Sequence, residues 1–99
     1  MSHARIHPEA AEEAAASALR YEQIDPELGA RFRAEVEAAV VKAISAPELF
    51  RRRTGDYRQS RVAGFPFAVV FRILPRGDIE IPAIMHLHRR PGYWLERTD

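Results

Sequence analysis

The feature that most constrains the fold is an apolar segment, residues 65–88, that alternates with period two and reverses direction once. Its first half reads FPFAVVFRIL, a PRGD segment follows, and its second half reads IEIPAIMHLH. Alternation of this kind predicts two β-strands, and proline followed by glycine supplies the fixed and the free φ angles of a tight turn. The sequence therefore predicts a β-hairpin of two long apolar strands. On the second strand, the residues expected to share one side are Ile79, Ile81, Ala83, Met85 and Leu87.

Two residues interrupt the apolar alternation of this hairpin. Pro82 cannot donate a hydrogen bond within a sheet, so it predicts a bulge or an edge at that point. Arg72 lies inside the first strand on the side opposite Phe71, where an unpaired buried guanidinium would be costly. We expect either that this side is partly wet or that an acid such as Glu80 pairs with Arg72 from the neighbouring strand.

The first half of the chain has the pattern of two helices. Pro8 suits the first position of a helix that we expect to run from about residue 9 to residue 24. Asp25 can cap a second helix, which begins with Pro26 and runs to about residue 45. Because the connection is so short, we expect an antiparallel helical hairpin. The expected apolar stripe of the first helix is Ala11, Ala14, Ala15 and Ala18, followed by Leu19, Tyr21 and Ile24.

The segment between the helices and the β-hairpin shows no periodicity from residue 48 to residue 60. Three consecutive arginines at 51–53 are expected to lie in a solvated loop, where they could steer an anionic partner. Residues 61–64 are expected to begin the sheet, and residues 4–6 could add a brief strand. The order of elements predicts an α+β fold, in which an N-terminal antiparallel helical hairpin packs on a small twisted antiparallel β-sheet.

Composition and charge narrow the functional classes. Ninety-nine residues suffice for one domain with a modest core, so we expect a single domain over residues 1–99. Without cysteine there is no disulfide or thiolate metal site, and no apolar run can span a bilayer, which predicts a cytoplasmic protein without a membrane partner. Residues 1–50 carry five basic and nine acidic side chains, whereas residues 51–99 carry ten arginines and five acids. This separation predicts an anionic partner for the C-terminal half.

Several segments, taken in order over residues 6–97, carry a resemblance to a known family. They read HPEAAEE, YEQIDPELGARFRAEVEAAV, FPFAVVFRI and IEIPAIMHLHRRPGYWLER. The chain resembles the RelE/ParE superfamily of toxins from type II toxin–antitoxin modules, and is most similar to the ParE-like, plasmid-stabilisation branch. The resemblance implies a helical hairpin on a twisted antiparallel sheet, no cofactor, and a cognate antitoxin that wraps the helical hairpin and the sheet edge. The alanine-rich helical hairpin suits packing against another helix, which predicts a homodimer or a hetero-oligomer with that antitoxin.

The family implies two different activities that inhibit growth. ParE-type members bind and poison DNA gyrase, whereas RelE-type members are ribosome-dependent mRNA endoribonucleases that use no metal. An arginine typical of the ribonuclease branch is replaced here by Phe67, which favours the gyrase-binding activity. If the chain is an enzyme, we expect a metal-independent endoribonuclease with Arg61, Arg89, Arg90 and Tyr93 as its catalytic candidates. A non-toxic binding module is the third hypothesis.

Cationic and aromatic side chains of the C-terminal half are the candidates for target binding. Rings stack on bases and guanidinium groups neutralise phosphates, but the same side chains also suit a protein surface. Trp94 is expected to pack in the core. His86 and His88 fall on one side of a strand, but zinc would need a further protein ligand that the sequence does not offer, so no metal is expected. The target-binding candidates are Arg58, Arg61, Arg89, Arg90, Tyr93 and Arg97.

Overall fold

A computed structural model describes residues 3–98 as two helices packed on one face of a five-stranded sheet. The strand order is β1-β5-β4-β3-β2, with β1 parallel to β5 and every other pair antiparallel. The predicted α+β fold, with its N-terminal helical hairpin, is confirmed, and β1 adds a parallel strand to the antiparallel sheet. The elements are β1 Ala4–Ile6, α1 Pro8–Ile24, α2 Pro26–Ser45, β2 Arg52–Thr54, β3 Tyr57–Arg61, β4 Phe67–Ile73 and β5 Ile79–His86.

The helical hairpin forms as its capping residues predict. Pro8 is the first residue of α1, and the side chain of Asp25 accepts a hydrogen bond of 3.0 Å from the Glu27 amide at the start of α2. The two helices then come close together at Gly29. A Cβ atom placed there would lie 2.8 Å from the Glu22 Cβ and 3.0 Å from the Ala18 carbonyl oxygen. Glycine at this position therefore sets how closely α1 and α2 pack.

The buried face of α1 differs from the predicted stripe. Ala10, Ser17 and Ala18 are buried, while Ala11 and Ala15 are exposed. Leu19 and Ile24 of the predicted stripe are exposed as well, with Ile24 reaching 76%. Ala14, Ala18 and Tyr21 of the predicted stripe do pack on the core, so the prediction was right in part. The other members were misplaced because α1 carries alanine on most of its circumference, and small side chains add little burial energy on whichever side faces the sheet.

A bulge at Pro82 changes which side of the sheet the residues of β5 face. Ala83 pairs with Val70 and Glu80 with Arg72, so three steps along β5 match two steps along β4. Ile79, Ile81 and Ile84 belong to the core beneath the helices, whereas Ala83 and Met85 pack on the opposite face. The predicted bulge is confirmed. The expectation that residues 79–87 keep one alternation is wrong, because one extra residue reverses the side of every later side chain.

The sheet has a hydrophobic cluster on each face. The helical face carries the larger one, in which Phe32 packs against Phe65 and Phe67 with ring centroids 5.1 Å and 5.0 Å apart. On the other face, which we call the open face, Trp94 is 1% exposed and packs with Tyr57. The expected burial of Trp94 is confirmed. The C-terminal tail, residues 87–98, covers part of the open face in this way.

Arg72 is paired on the open face, as one of the two sequence interpretations required. Its Nε donates to Glu80 Oε1 at 2.6 Å, and His7 Nε2 lies 2.9 Å from Glu80 Oε2. Burial opposes ionisation of the Glu80 carboxyl, but the hydrogen bonds with His7 and Arg72 outweigh it and lower its pKa. The ion pair therefore anchors the end of the β-hairpin.

Two expectations about the segment between α2 and β4 are wrong. Residues 52–54 form the edge strand β2 rather than a loop, and the sheet resumes at Tyr57 rather than at residue 61. Gly55, with φ of 56°, makes the tight turn that joins these two short strands, which carry too few apolar residues to show a period. In the described part of the chain, no helix is long and apolar enough to cross a membrane.

Candidate functional site

The carboxylate of Glu13 on α1 holds the C-terminal tail in place. Arg97 donates from Nη1 to Oε1 at 3.0 Å and from Nη2 to Oε2 at 3.2 Å, and the Tyr93 hydroxyl donates to Oε2 at 2.6 Å. Desolvation works against the charge on Arg97, but the hydrogen bonds that Arg97 donates to Glu13 outweigh this effect and raise the pKa of Arg97. We call these three residues the Glu13 latch.

The Glu13 latch also completes the hydrogen bonding of β5. Because β1 ends at Ile6, no strand within residues 3–98 lies beside the outer edge of β5 beyond Ile81. Pro82 needs no amide partner there, and its carbonyl accepts from Arg97 at 3.0 Å. The Ile84 amide donates to Glu13 at 3.1 Å. Two side chains thus replace a missing strand, and Arg97 has a structural task in addition to any contact with a target.

The environment of Tyr93 limits what its hydroxyl can do chemically. Burial, reinforced by the hydrogen bond to the Glu13 carboxylate, raises the pKa of Tyr93 well above its ordinary value. The guanidinium carbons of Arg89 and Arg97 lie 3.9 Å and 5.1 Å from the centre of its ring. The hydroxyl therefore stays protonated at neutral pH, and the ring is already in contact with two cations.

Arg58 lies on the helical side of β3, apart from the other candidates. It pairs across the sheet with Phe71, and its Nη1 donates to the Phe50 carbonyl. Arg61, three residues further along β3, pairs with Ala68. Ala68 lies on the same side of β4 as Val70, which belongs to the open-face cluster. An odd spacing on one strand separates the two arginines onto opposite faces. The structure thus brings Arg61 together with the tail rather than with Arg58.

A depression on the open face gathers three arginines from three different elements. Arg53 comes from β2, Arg61 from β3 and Arg89 from the tail, around a volume of about 270 Å³. We call this site the basic concavity. Among residues 3–98, none of these three guanidinium groups makes an ion pair. Its apolar floor includes Met85, Leu87 and Trp94.

Arg53 is the member of the basic concavity that sequence reasoning missed. It was expected in a solvated loop, so no face could be assigned to it. Recognition of a short edge strand would not have been enough, because the register of β2 shifts between Arg52 and Thr54, and the neighbours Arg53 and Thr54 both line the concavity. Arg90 of the tail is exposed. It follows Arg89 in the sequence but is not among the side chains that line the concavity.

His86 and His88 lie where β5 passes into the tail. The His86 ring packs edge-on against Phe67, with ring centroids 5.1 Å apart. Nδ1 of His86 accepts a hydrogen bond of 3.1 Å from the backbone amide of His88. The first contact supports the core and the second supports the turn. Within residues 3–98, no three histidine or acidic side chains are arranged to hold a metal ion.

An apolar groove lies on the other side of the molecule, between the two helices and the edge of the sheet. Its volume is about 370 Å³, and Arg33 and Glu37 stand among its lining residues. The exposed alanines of α1 contribute to its wall. We call it the hairpin groove, and its apolar lining includes Ile6, Ala11, Ala14, Ala15, Val36 and Val40.

Comparison with known proteins identifies the fold. No protein-family model matches the chain, and no curated protein matches it. Among solved structures, a chain from the chromosomal ParDE toxin–antitoxin (TA) system of P. aeruginosa superposes with a TM-score of 0.75 at 18% sequence identity. The match covers 89% of this chain and 98% of that chain. This chain therefore has the fold seen in that system, and the fold implied by the sequence resemblance is confirmed.

Proposed function

We propose that this protein is the toxin of a type II toxin–antitoxin system, that it inhibits growth by binding DNA gyrase, and that a cognate antitoxin neutralises it in the cytoplasm. The observation that carries this proposal is the fold match with the ParDE system, which extends over almost the full length of both chains. The resemblance in sequence segments supports the same assignment independently. Residues 1–99 act as one toxin domain in this proposal.

The hairpin groove is the surface on which we place the antitoxin. Alanines on α1 leave room for a partner helix to approach closely, and Ile6 and Val40 add apolar area. Of these, Ile6 is 47% exposed. A segment that orders on binding can cover such a groove with its own apolar face. Arg33 and Glu37 provide charges of both signs to fix the direction of that segment.

The ribonuclease alternative has less support from the arrangement of its candidates. Tyr93 would have to act as a general acid or base, but its hydroxyl donates to Glu13 and its pKa is raised. Phe67, which stands near the place of an arginine in the ribonuclease branch, is 3% exposed and packs in the core. Among residues 3–98, the side chains that line the basic concavity with Arg61 and Arg89 include no histidine or carboxylate that could move a proton. We therefore favour gyrase binding.

Expression of the chain alone, and together with its upstream neighbour gene, tests the proposal. We expect growth arrest and a DNA-damage response when the chain is expressed alone, and recovery when the neighbour is co-expressed. Primer extension on mRNA from the arrested cells separates the two activities, because a ribonuclease leaves discrete cuts at codon positions and a gyrase poison does not. Normal growth with a folded, expressed chain would contradict a toxic function and support the non-toxic binding module.

A further inference from the structure

The basic concavity has a composition that selects one class of partner. Three arginines that make no ion pair within residues 3–98 surround a floor of apolar side chains, and they come from β2, β3 and the tail. Guanidinium groups bind carboxylates and phosphates alike, often through two parallel hydrogen bonds. The charges alone therefore do not decide between an acidic protein segment and a nucleic acid.

The aromatic side chains near the concavity decide between these two partners. Proteins that bind single-stranded nucleic acid combine cations with accessible rings on which bases stack. Here Trp94 is 1% exposed and Tyr57 is 6% exposed. The ring of Tyr93 already lies against the guanidinium groups of Arg89 and Arg97. No ring among residues 3–98 is thus offered to a base within the concavity, whereas Leu87, which is partly exposed, and Pro91, which is exposed, can receive an aliphatic side chain there.

We propose that the basic concavity binds an acidic segment of the protein target, with carboxylates on Arg53, Arg61 and Arg89 and an apolar side chain on the floor between them. This inference rests on the proposed function and specifies the chemistry of its target. We assign the segment to the target rather than to the antitoxin, since we place the antitoxin in the hairpin groove on the helical side of the sheet, whereas the concavity lies on the open face.

Fluorescence anisotropy with defined probes tests the chemistry of the site. The probes are a labelled peptide of alternating Glu and Leu, the matching Gln and Leu peptide, and an oligouridylate with the same charge as the acidic peptide. At physiological ionic strength we expect the full-length protein to bind the Glu–Leu peptide more tightly than either of the others. Tighter binding of the oligouridylate would overturn the proposal in favour of a nucleic-acid site.

Variants that remove single arginines show whether the Glu–Leu peptide binds in the basic concavity or is attracted non-specifically by positive charge. We expect Arg61→Ala and Arg89→Ala each to weaken binding of the Glu–Leu peptide about tenfold, as the loss of one charge-assisted contact predicts. The control is Arg76→Ala, which removes an exposed arginine from the turn between β4 and β5 and should leave affinity unchanged. Equal losses in all three variants would show non-specific electrostatics and refute a defined site.

Two further outcomes keep this inference distinct from its premises. The triple variant Arg53→Ala, Arg61→Ala and Arg89→Ala should still co-purify with the antitoxin, and loss of that complex would assign the concavity to the antitoxin and overturn the proposal. Peptide binding by a chain that never arrests growth would support the site and contradict the proposed function. Growth arrest by a chain that does not bind the peptide would support the proposed function and contradict the site.

Discussion

Substitution of Glu13 by glutamine probes the contact that holds the C-terminal tail. The change removes the counter-charge of Arg97 and an acceptor for Tyr93, while the side-chain volume stays the same. Removal of one partner from a buried ion pair costs about 3–5 kcal/mol. The side chains of Arg97 and Glu13 are 19% and 17% exposed, so solvent reduces this cost, and we expect a loss of about 2–3 kcal/mol. For a chain of this length, that loss lowers the thermal midpoint by about 10–15 °C.

Urea unfolding at neutral pH measures the Glu13→Gln effect against a matched control. Glu12→Gln removes the neighbouring carboxylate, which is exposed on the same helix, and should change the free energy of unfolding by less than about 0.5 kcal/mol. A double-mutant cycle with Arg97→Ala should give a coupling energy above about 1 kcal/mol. If Glu13→Gln unfolds like wild type, or the coupling is zero, the latch does not hold the tail and our reasoning about it is refuted.

Four further predictions test the packing, the buried ion pair and the functional surface. Gly29→Ala should destabilise the fold by about 1–2 kcal/mol in urea unfolding, although alanine favours helices, because its Cβ would overlap Glu22; a gain in stability would contradict the close packing. Glu80→Gln should reduce the loss of stability in acid by the part that Glu80 contributes: because the pKa of Glu80 is lowered, wild type holds this contribution above pH 4.5 and loses it as pH falls, so equal pH profiles would contradict it. Phe71→Ala should cost about 3–5 kcal/mol by thermal denaturation, since the ring is 0% exposed, and a loss below about 1 kcal/mol would be inconsistent with that burial. Arg89→Ala combined with Arg90→Ala should abolish growth arrest and preserve antitoxin binding, and full arrest by the folded double variant would move the toxic surface elsewhere.

The sequence was most informative where local chemistry decides the backbone. The start of both helices and the end of α1 followed from Pro8 and from the Asp25-Pro26 pair, because capping and the fixed φ of proline act over only a few residues. Pro82 marked the bulge for the same reason, and the pair formed by Arg72 and Glu80 followed from the cost of an unpaired buried charge.

Features that depend on distant contacts were the ones that the sequence did not fix. Glu13 looked like one of several acids in the first turns of a helix. It is nevertheless bound by Tyr93 and Arg97, which lie 80 and 84 positions further along the chain. Nothing in a local pattern distinguishes it from Glu12. Similarly, the phase of α1 depended on which alanines the sheet covers, and small side chains leave that choice to tertiary packing.

The candidate site was predicted in composition but not in arrangement. The six predicted residues divide into two groups in the structure: Arg58, Tyr93 and Arg97 bind groups of the protein itself, whereas Arg61, Arg89 and Arg90 are exposed. Whether an arginine donates to an acceptor within the protein depends on which face of the sheet its side chain occupies and on the path of the tail. Both depend on the register of the whole sheet.

The measurement that tests the account most directly is a DNA supercoiling assay with purified gyrase and the purified chain. We predict that the wild-type chain inhibits supercoiling, that a folded variant carrying Arg61→Ala and Arg89→Ala does not, and that addition of the antitoxin restores the reaction. Full supercoiling in the presence of a wild-type chain that arrests growth in cells would contradict gyrase as the target, and inhibition by the double variant would contradict the basic concavity as the surface that binds it.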